Sequence, residues 1–192
     1  MPEGRPPLLP AGDPSALSEA ATAMLAGGIV GIPTETVYGI GVVPRPEALA
    51  AVIAAKRRTE EKGITLLIDG LDQVEGLVEV LPPARRLATH YWPGALTLVL
   101  PLLRPELVPE AVTGGRETLG LRISDHPVPR ALARELGPIA VTSANRSGEP
   151  PAQAPAELIA SVGGSLALVL DDGPVRGGVA STVVAVGRDG GW

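Results

Sequence analysis

Residues 29–39 read Ile-Val-Gly-Ile-Pro-Thr-Glu-Thr-Val-Tyr-Gly, and the rest of the chain is best interpreted outward from this stretch. Its first four residues predict a short apolar strand that ends at Pro33. Upstream, Asp13-Pro14 predicts the start of a helix, and Gly27-Gly28 predicts its end. Downstream, the spacing of apolar residues predicts a second helix over 46–56. A helix, a strand and a helix in succession indicate an α/β fold.

The same alternation continues along the chain. It predicts a single domain over residues 13–192, built on a sheet of mixed strand direction with helices packed against it. The Pro/Gly-rich residues 1–12 are expected to form a flexible N-terminal arm. The further predicted strands are 64–68, 95–100, 118–123, 139–141, 166–170 and 182–186, and the further predicted helices are 71–81, 83–91, 127–136 and 154–161.

Composition excludes several classes of protein. The chain has 192 residues, of which 45% are hydrophobic and 19% charged, so it can bury a core. It lacks a run of about 18 apolar residues and a signal-peptide layout at its start, so we expect a cytoplasmic protein with no membrane partner. The absence of cysteine excludes disulfides and thiolate nucleophiles, and the two separated histidines argue against zinc. A net charge of −5 argues against a surface built for nucleic-acid phosphates, although it allows a local basic cleft.

The loop at 33–39 concentrates polar groups at the exit of a strand. Thr34, Thr36 and Tyr38 offer hydrogen bonds to a polar ligand, while Pro33 and Gly39 fix the loop. An ordinary hairpin-like turn is the alternative interpretation.

Lys56 is one of only two lysines in the chain. Helical spacing places it on the apolar stripe of the second predicted helix, so its ammonium is expected on the side that faces the sheet. A lysine there either extends outward to solvent or contacts an anion, and the scarcity of lysine favours phosphate binding. Arg58 could add a planar fork for phosphate oxygens. Alternatively, the cations only complement the dipole at the helix C-terminus.

Two further segments carry polar residues on or after apolar strands. Residues 142–148 contain the only asparagine, Asn145, and suit contact with phosphates, ribose or a metal-bound triphosphate, although side-chain turns alone would also explain them. In the strand at 118–123, alternation places Thr118, Gly120 and Arg122 on one face. Arg122 then requires an anionic partner, which is either a structural Asp or Glu or a substrate carboxylate.

General nucleotide-binding and nucleophile motifs are absent. The chain has neither a Gly-x-x-x-x-Gly-Lys-Ser/Thr loop nor a Gly-x-Gly-x-x-Gly segment, and it lacks a Gly-x-Ser-x-Gly elbow. A protein of this sequence that used ATP would therefore bind it in an unusual way. Ser181-Thr182 is a weak signal by itself, and Trp92-Pro93-Gly94 indicates packing and a turn.

Taken in order, these segments resemble the YrdC-like threonylcarbamoyl-AMP synthase family, in its short bacterial form with a single YrdC domain. The resemblance runs from about residue 28 to residue 186, and several short motifs in a fixed order make it specific. Its parts are the segments 33–39, 56–58, 92–97, 120–127, 142–148 and 181–182.

The resemblance implies a twisted mixed sheet with helices that encloses a large basic cavity. It implies condensation of L-threonine, bicarbonate and ATP into threonylcarbamoyl-AMP and pyrophosphate, with Mg²⁺ held by the ATP phosphates and no protein metal ligand. The product would serve a downstream threonylcarbamoyl transferase complex that modifies adenosine 37 of tRNA, and direct tRNA contact is allowed but not required. The implied ATP-binding residues are Lys56, Arg58, Thr118, Ser143, Asn145 and Ser181, with Lys56 and Arg58 also catalytic; the implied threonine-binding residues are Thr34, Thr36, Arg122 and Thr142.

The sequence departs from the family pattern after the Lys-x-Arg segment. Many members carry Asn-Pro-Leu there with a histidine beyond, whereas this chain has Lys62-Gly63-Ile64 and then Leu67. One nucleotide contact and one threonine contact are therefore unassigned. Rival interpretations are an RNA-binding YrdC-like module without catalysis, a related carbamoyl-adenylate-forming protein, and a relative that has lost catalysis.

Overall fold

The computed structural model describes residues 5–57, 63–189 and 191–192. Its strands join in one sheet in the order β1-β8-β2-β3-β7-β4-β6-β5-β9. The strands are β1 Leu8–Pro10, β2 Ile29–Ile32, β3 Gly39–Val42, β4 Thr65–Leu67, β5 Leu96–Pro101, β6 Thr118–Arg122, β7 Ile139–Ser143, β8 Leu166–Asp171 and β9 Thr182–Ala185. The helices are α1 Pro14–Leu25, α2 Pro46–Lys56, α3 Pro82–Tyr91, α4 Glu110–Thr113, α5 Pro127–Leu136 and α6 Pro155–Val162, with 3₁₀ turns at Leu71–Val74, Pro105–Leu107 and Gly163–Ser165.

The sheet mixes parallel and antiparallel neighbours, which confirms the predicted α/β fold with a mixed sheet; the large basic cavity stays a prediction. β1, β8 and β2 run parallel, as do the pairs β4/β6 and β5/β9. The pairs β2/β3, β3/β7, β7/β4 and β6/β5 are antiparallel. Strands from both ends of the chain therefore share one sheet. In the described part of the chain, no helix is long and apolar enough to cross a bilayer.

Five of the helices begin close to their predicted starts because proline defines their first turns. Proline lies in the first turn of α1, α2, α3, α5 and α6, where its missing N–H removes no helical hydrogen bond. At α1, the Asp13 carboxylate also accepts a hydrogen bond from the Ser15 N–H at 2.9 Å.

Both faces of the sheet carry apolar layers. On one face α1 and α5 pack over β8, β2, β7 and β4, burying Met24, Leu132, Ile139 and Val141 among others. The other face buries a larger cluster that includes Leu49, Leu98 and Leu121. The alternating positions of β6, β5 and β9 that point away from this larger cluster include Gly120, Thr97 and Val183. They lie on the α1/α5 face, beyond the strands that α1 and α5 contact.

The predicted N-terminal arm is wrong for residues 5–12. Leu8–Pro10 forms the edge strand β1, which pairs in parallel with β8, and the Ala11 N–H donates to the Asp171 carbonyl at 2.8 Å. Without β1, strand β8 would present unpaired N–H and C=O groups at the edge of the sheet. An edge position also tolerates proline, which donates no ladder hydrogen bond.

Two other local predictions differ from the structure. The helix predicted at 71–81 is only a 3₁₀ turn, because Gly76 adopts φ +73° and Val78 forms a bridge with Leu102. Strand β3 was not predicted, because glycine at 39 and 41 weakens a strand pattern. A Cβ on Gly41 would lie 2.5 Å from Ile32 Cδ1, so a larger residue at this position would force the Ile32 side chain to shift. Because β2 and β3 are antiparallel neighbours, the segment 33–39 joins them as a hairpin-like turn, which was the alternative interpretation of this segment.

Candidate functional site

A cavity of about 230 Å³ lies on the part of the α1/α5 face formed by β3, β7, β4, β6 and β5. It brings together Thr34, Thr36, Arg122 and Thr142, the four residues predicted to bind threonine, with Ser143 and Ser181 from the predicted ATP set. The remaining lining residues are Val37, Gly39, Gly63, Thr65, Leu67, Thr97, Val141, Ala180 and Val183.

Strand register explains this convergence. Gly39 pairs with Ser143, Leu67 pairs with Arg122, and Thr182 pairs with Leu96 beside the lining residue Thr97. Residues that are far apart in the chain therefore meet where β3, β7, β4, β6, β5 and β9 lie side by side. Thr118 lies outside the lining, at the far end of β6 opposite Pro101.

The loop after β2 is closed by its own side chains. The Thr34 hydroxyl donates to the Val37 carbonyl at 2.6 Å and accepts from the N–H groups of Thr36 and Val37, each at 3.2 Å. The Thr34 and Thr36 hydroxyl oxygens are 2.9 Å apart. This geometry holds both hydroxyls at the cavity wall.

Tyr38 has a different role from the predicted one. Its hydroxyl donates to the Gly173 carbonyl at 2.8 Å and accepts from the Asp172 N–H at 3.1 Å, and its ring is fully buried. Burial, with smaller contributions from the carboxylates of Asp171 and Asp172, raises the pKa of Tyr38 to about 12. Tyr38 therefore ties the 33–39 loop to the end of β8 and does not face a ligand.

Arg122 is the cation in the cavity lining, and it is 7% exposed. Its Nη2 donates to Glu35 Oε1 at 2.7 Å and to Thr36 Oγ1 at 3.0 Å, and its Nε donates to the Gly94 carbonyl at 3.1 Å. The structural-carboxylate interpretation of Arg122 is thus confirmed. Its Nη1 has no acceptor among the described residues, which leaves one edge of the guanidinium for a further anion.

Glu35 is held at both carboxylate oxygens, because the Ser124 hydroxyl donates to the oxygen that Arg122 does not contact. Burial raises the pKa of Glu35, but the hydrogen bonds from Ser124 and Arg122 and the guanidinium charge outweigh it and hold the pKa below its ordinary value. Glu35 is therefore ionised at neutral pH. The sequence placed it in a chemical segment without assigning it a role.

The Trp92-Pro93-Gly94 turn positions Arg122, in addition to the packing role expected from the sequence. Trp92 Nε1 donates to the Leu96 carbonyl at 2.7 Å, which fixes the turn. A Cβ on Gly94 would lie 2.5 Å from the Tyr91 carbonyl oxygen, so only glycine fits this close approach. The Gly94 carbonyl is then placed to accept from Arg122.

Lys56 is buried at 3% exposure on the predicted stripe of α2. Its Nζ donates to the Ser143 carbonyl and, at 2.7 Å, to the Asn145 carbonyl. The Ser147 N–H donates to the Lys56 carbonyl at 3.0 Å. Lys56 therefore holds the 143–147 loop in place. It does not itself line the cavity, but it is hydrogen-bonded to the main chain of Ser143, which does. Arg58 lies outside the described residues, so its predicted role stays a prediction.

Asn145 carries a buried acceptor that is not satisfied. Its Nδ2 donates to the carbonyls of Arg146 and Glu149 at 2.9 and 2.7 Å. Its Oδ1 is buried and has no hydrogen-bond partner among the residues that the structure describes. Such atoms are uncommon in folded proteins because desolvation without a partner is costly. The amide oxygen is thus suited to a donor supplied by a ligand.

Two hydroxyl residues of the site were not singled out from the sequence. Thr97 Oγ1 lies 2.9 Å from Ser181 Oγ, and Thr65 lines the same cavity. Thr97 is a polar residue in the strand Leu-Thr-Leu-Val-Leu-Pro, facing away from Leu96 and Leu98. Alternation along β5 was the signal that could have identified it.

A second cavity of about 350 Å³ adjoins the first, and Thr34 lines both. Glu35 and the pair formed by His126 Nε2 and Asp172 Oδ2, at 3.1 Å, also line the second cavity. Because His126 Nδ1 accepts from the Val128 N–H at 3.2 Å, the proton belongs on Nε2. Within the described ranges, no group of three or more His, Asp or Glu side chains is placed to hold a metal.

Comparison with known proteins matches this chain to one family and to relatives that share one name. The family model for Sua5, YciO and YrdC, described as "Telomere recombination", matches residues 22–191. The chain is 38% identical to the threonylcarbamoyl-AMP synthase of Bacillus subtilis over 176 residues, which cover 90% of this chain and 51% of the relative. It is 40% identical to the threonylcarbamoyl-AMP synthase of Marinobacter nauticus over 141 residues, covering 72% of this chain and 74% of the relative.

Among solved structures, Pyrococcus abyssi Sua5 complexed with L-threonine matches with a TM-score of 0.86 and 33% identity. The match covers 93% of this chain and 53% of that chain. The chain thus spans about half the length of the Bacillus and Pyrococcus relatives and about three quarters of the Marinobacter relative.

Proposed function

Because the chain belongs to the Sua5/YciO/YrdC family, we propose that it condenses L-threonine, bicarbonate and ATP into threonylcarbamoyl-AMP and pyrophosphate. The product is the activated intermediate for modification of adenosine 37 of tRNA, and a threonylcarbamoyl transferase complex would consume it. The relatives named threonylcarbamoyl-AMP synthase and the L-threonine complex of a similar structure support this proposal.

One observation carries the proposal: a single cavity is lined both by the residues predicted for threonine and by two hydroxyl residues predicted for ATP. The reaction requires the carbamate formed on threonine to meet the α-phosphorus of ATP. Holding both substrates in one small space converts an encounter in solution into a reaction between oriented neighbours. The cavity supplies that proximity.

At the amino-acid end, Arg122 receives the threonine carboxylate on its Nη1 edge. Its other donors are already engaged by Glu35, Thr36 and Gly94, so the guanidinium is fixed before the substrate arrives. Thr142 lines the same cavity and is the fourth residue assigned to the amino acid.

At the nucleotide end, Ser143 and Ser181 contribute hydroxyls, and Lys56 holds the main chain of the 143–145 loop in place. Asn145 does not itself line the cavity, but it lies two residues from Ser143, and its unsatisfied buried Oδ1 could accept a hydrogen bond from water on Mg²⁺ that enters with the triphosphate. When bound, Mg²⁺ neutralises phosphate charge. The carboxylate-poor site suits a metal held mainly by phosphates.

The bond changes require no side-chain nucleophile. The threonine amine combines with bicarbonate, with loss of water, to give the carbamate. The carbamate oxygen then forms a bond to the α-phosphorus as the bond to pyrophosphate breaks. Lys56 and Arg58 would offset the repulsion between carbamate and triphosphate, which makes them the proposed catalytic cations.

The test is an assay of pyrophosphate release in which each substrate is omitted in turn. We expect release only when ATP, L-threonine and bicarbonate are all present, with the adenylate identified by its mass. Turnover of ATP that is indifferent to L-threonine would reject the proposed function. Salt-dependent binding of bare RNA without turnover would favour the RNA-binding alternative.

A further inference from the structure

The Arg122–Glu35 pair carries an inference that rests on the proposed function and goes beyond it. Arg122 lines the smaller cavity, while Glu35 lines the larger one and is joined to Arg122 at 2.7 Å. The pair is thus a wall between the two cavities. Both of its charges are largely buried, with side-chain exposures of 8% and 22%.

The proposed reaction places two different anions beside this pair. An amino acid carries one carboxylate, whereas ATP and pyrophosphate carry several negative charges. The residues assigned to threonine and two of those assigned to ATP, Ser143 and Ser181, line one cavity of about 230 Å³, so the proposed reaction makes the two ligands close neighbours. A lone buried guanidinium would attract the polyanion more strongly, because Coulomb energy scales with the product of the charges.

Glu35 removes this preference. With a carboxylate at 2.7 Å, the net charge of the pair is close to zero, so its longer-range attraction for phosphate is small. What remains is short-range and directional: the two N–H groups of Nη1 can bind one carboxylate.

We propose that Glu35 sets the charge selectivity of the amino-acid subsite, admitting one carboxylate at Arg122 and keeping polyphosphate out. Glu35 acts through Arg122 and takes no part in bond making. The hydrogen bond from Ser124 fixes the carboxylate for this role by occupying its second oxygen.

The test is titration calorimetry of L-threonine into the protein, without ATP, at rising concentrations of inorganic pyrophosphate. For the wild type, we expect the apparent Kd of L-threonine to be nearly independent of pyrophosphate, which binds at the nucleotide end. For Glu35→Gln, we expect pyrophosphate to compete, raising that Kd on the order of tenfold. Without pyrophosphate, the Kd for L-threonine should differ from wild type by less than about threefold, because a zwitterion is neutral overall.

Two variants separate charge from structure. Glu35→Asp keeps the negative charge, so pyrophosphate should still fail to compete even where the shorter side chain weakens L-threonine binding. Glu19→Gln removes a negative charge from an exposed position of α1 and should behave as wild type. Thermal melts of each variant verify the fold.

Competition of equal strength in the wild type and in Glu35→Gln would overturn the inference. So would a Glu35→Gln variant that binds L-threonine and pyrophosphate tighter by the same factor, since Glu35 would then only block Arg122. If the wild type bound no L-threonine at all, the proposed function would fail and this inference with it.

Discussion

The two halves of one sheet face differ in what lies over them. Under α1 and α5, the strands present Ile32, Leu67, Ile139 and Val141, which join a closed apolar core. Beyond these helices, β6, β5 and β9 present Gly120, Thr97 and Val183 beside the hydroxyl-lined cavity.

The difference shows that the site is a region of sheet where small and hydroxyl side chains replace core residues. Leu67 and Val141 belong to both regions, because they join the core and line the cavity. The covered half should therefore determine stability, and the open half should determine ligand binding. Each prediction below tests that division.

The largest expected effect is on stability, from Leu132→Ala in α5. Leu132 is 1% exposed in the core under the helices. Its truncation should lower the free energy of unfolding by about 2–5 kcal/mol, through lost burial and a residual cavity. Urea denaturation gives this value, and the KM for L-threonine of the folded variant should be unchanged. A large rise in the KM for L-threonine would contradict the claim that the covered half determines stability and not ligand binding.

Arg122→Ala should act mainly on binding. Without its guanidinium, the site loses the proposed receptor for the threonine carboxylate, and kcat/KM for L-threonine should fall roughly hundredfold, as expected for loss of a charged hydrogen-bonding partner. Steady-state kinetics at saturating ATP measure it. Arg134→Ala, which removes an exposed arginine paired with Asp69, is the matched control and should keep kcat/KM. Equal losses in the two variants would contradict the assignment.

Tyr38→Phe tests the tie between the 33–39 loop and the end of β8. Phenylalanine leaves the Asp172 N–H and the Gly173 carbonyl without their partner, so we expect a loss of about 1–2 kcal/mol. Because the pKa of Tyr38 rises from 10.0 to about 12 on folding, its contribution is complete below pH 10 and is lost as the pH rises towards 12.

The measurement is denaturant unfolding between pH 8 and pH 12. The wild type should lose stability across the upper part of this range more steeply than Tyr38→Phe. Parallel curves for the two proteins would show that the pKa of the Tyr38 hydroxyl is the same in the folded and the unfolded protein.

Thr97→Val should have the smallest effect. It keeps the shape of the side chain but removes the hydrogen bond to Ser181 at 2.9 Å in the open half. We expect a rise of a few-fold in the KM for ATP, in line with about 0.5–1.5 kcal/mol for one hydrogen bond. Val99→Thr is the control: Val99 lies two residues further along the same face of β5 but does not line the cavity, so the KM for ATP should stay near its wild-type value. Kinetics with ATP varied at saturating L-threonine distinguish the two.

The sequence predicted the elements whose boundaries have a local chemical cause. Asp13 and Pro14 define the start of α1, and Pro127 and Gly137 bound α5, because caps and prolines act within a few residues. β1 and β3 were missed since their stability comes from neighbouring strands distant in the chain. Local composition, which is rich in proline around β1 and in glycine in β3, argued against both.

The sequence predicted those site residues whose type is uncommon at their position in a strand or in the loop that follows one. Arg122 on a strand and Thr34 in a polar loop were found in this way, and the structure places both at one cavity. The partners of Arg122 could not be predicted, because the Gly94 carbonyl and the Glu35 carboxylate reach it only through tertiary packing. The contacts of Tyr38 were misassigned for the same reason.

A structure of the protein bound to L-threonine and a non-hydrolysable ATP analogue tests the central claim most directly. We predict the threonine carboxylate within hydrogen-bonding distance of Arg122 Nη1, and the triphosphate beside Ser143 and Ser181 in the same cavity. Either ligand bound away from this cavity, or a triphosphate seated on Arg122, would contradict the account.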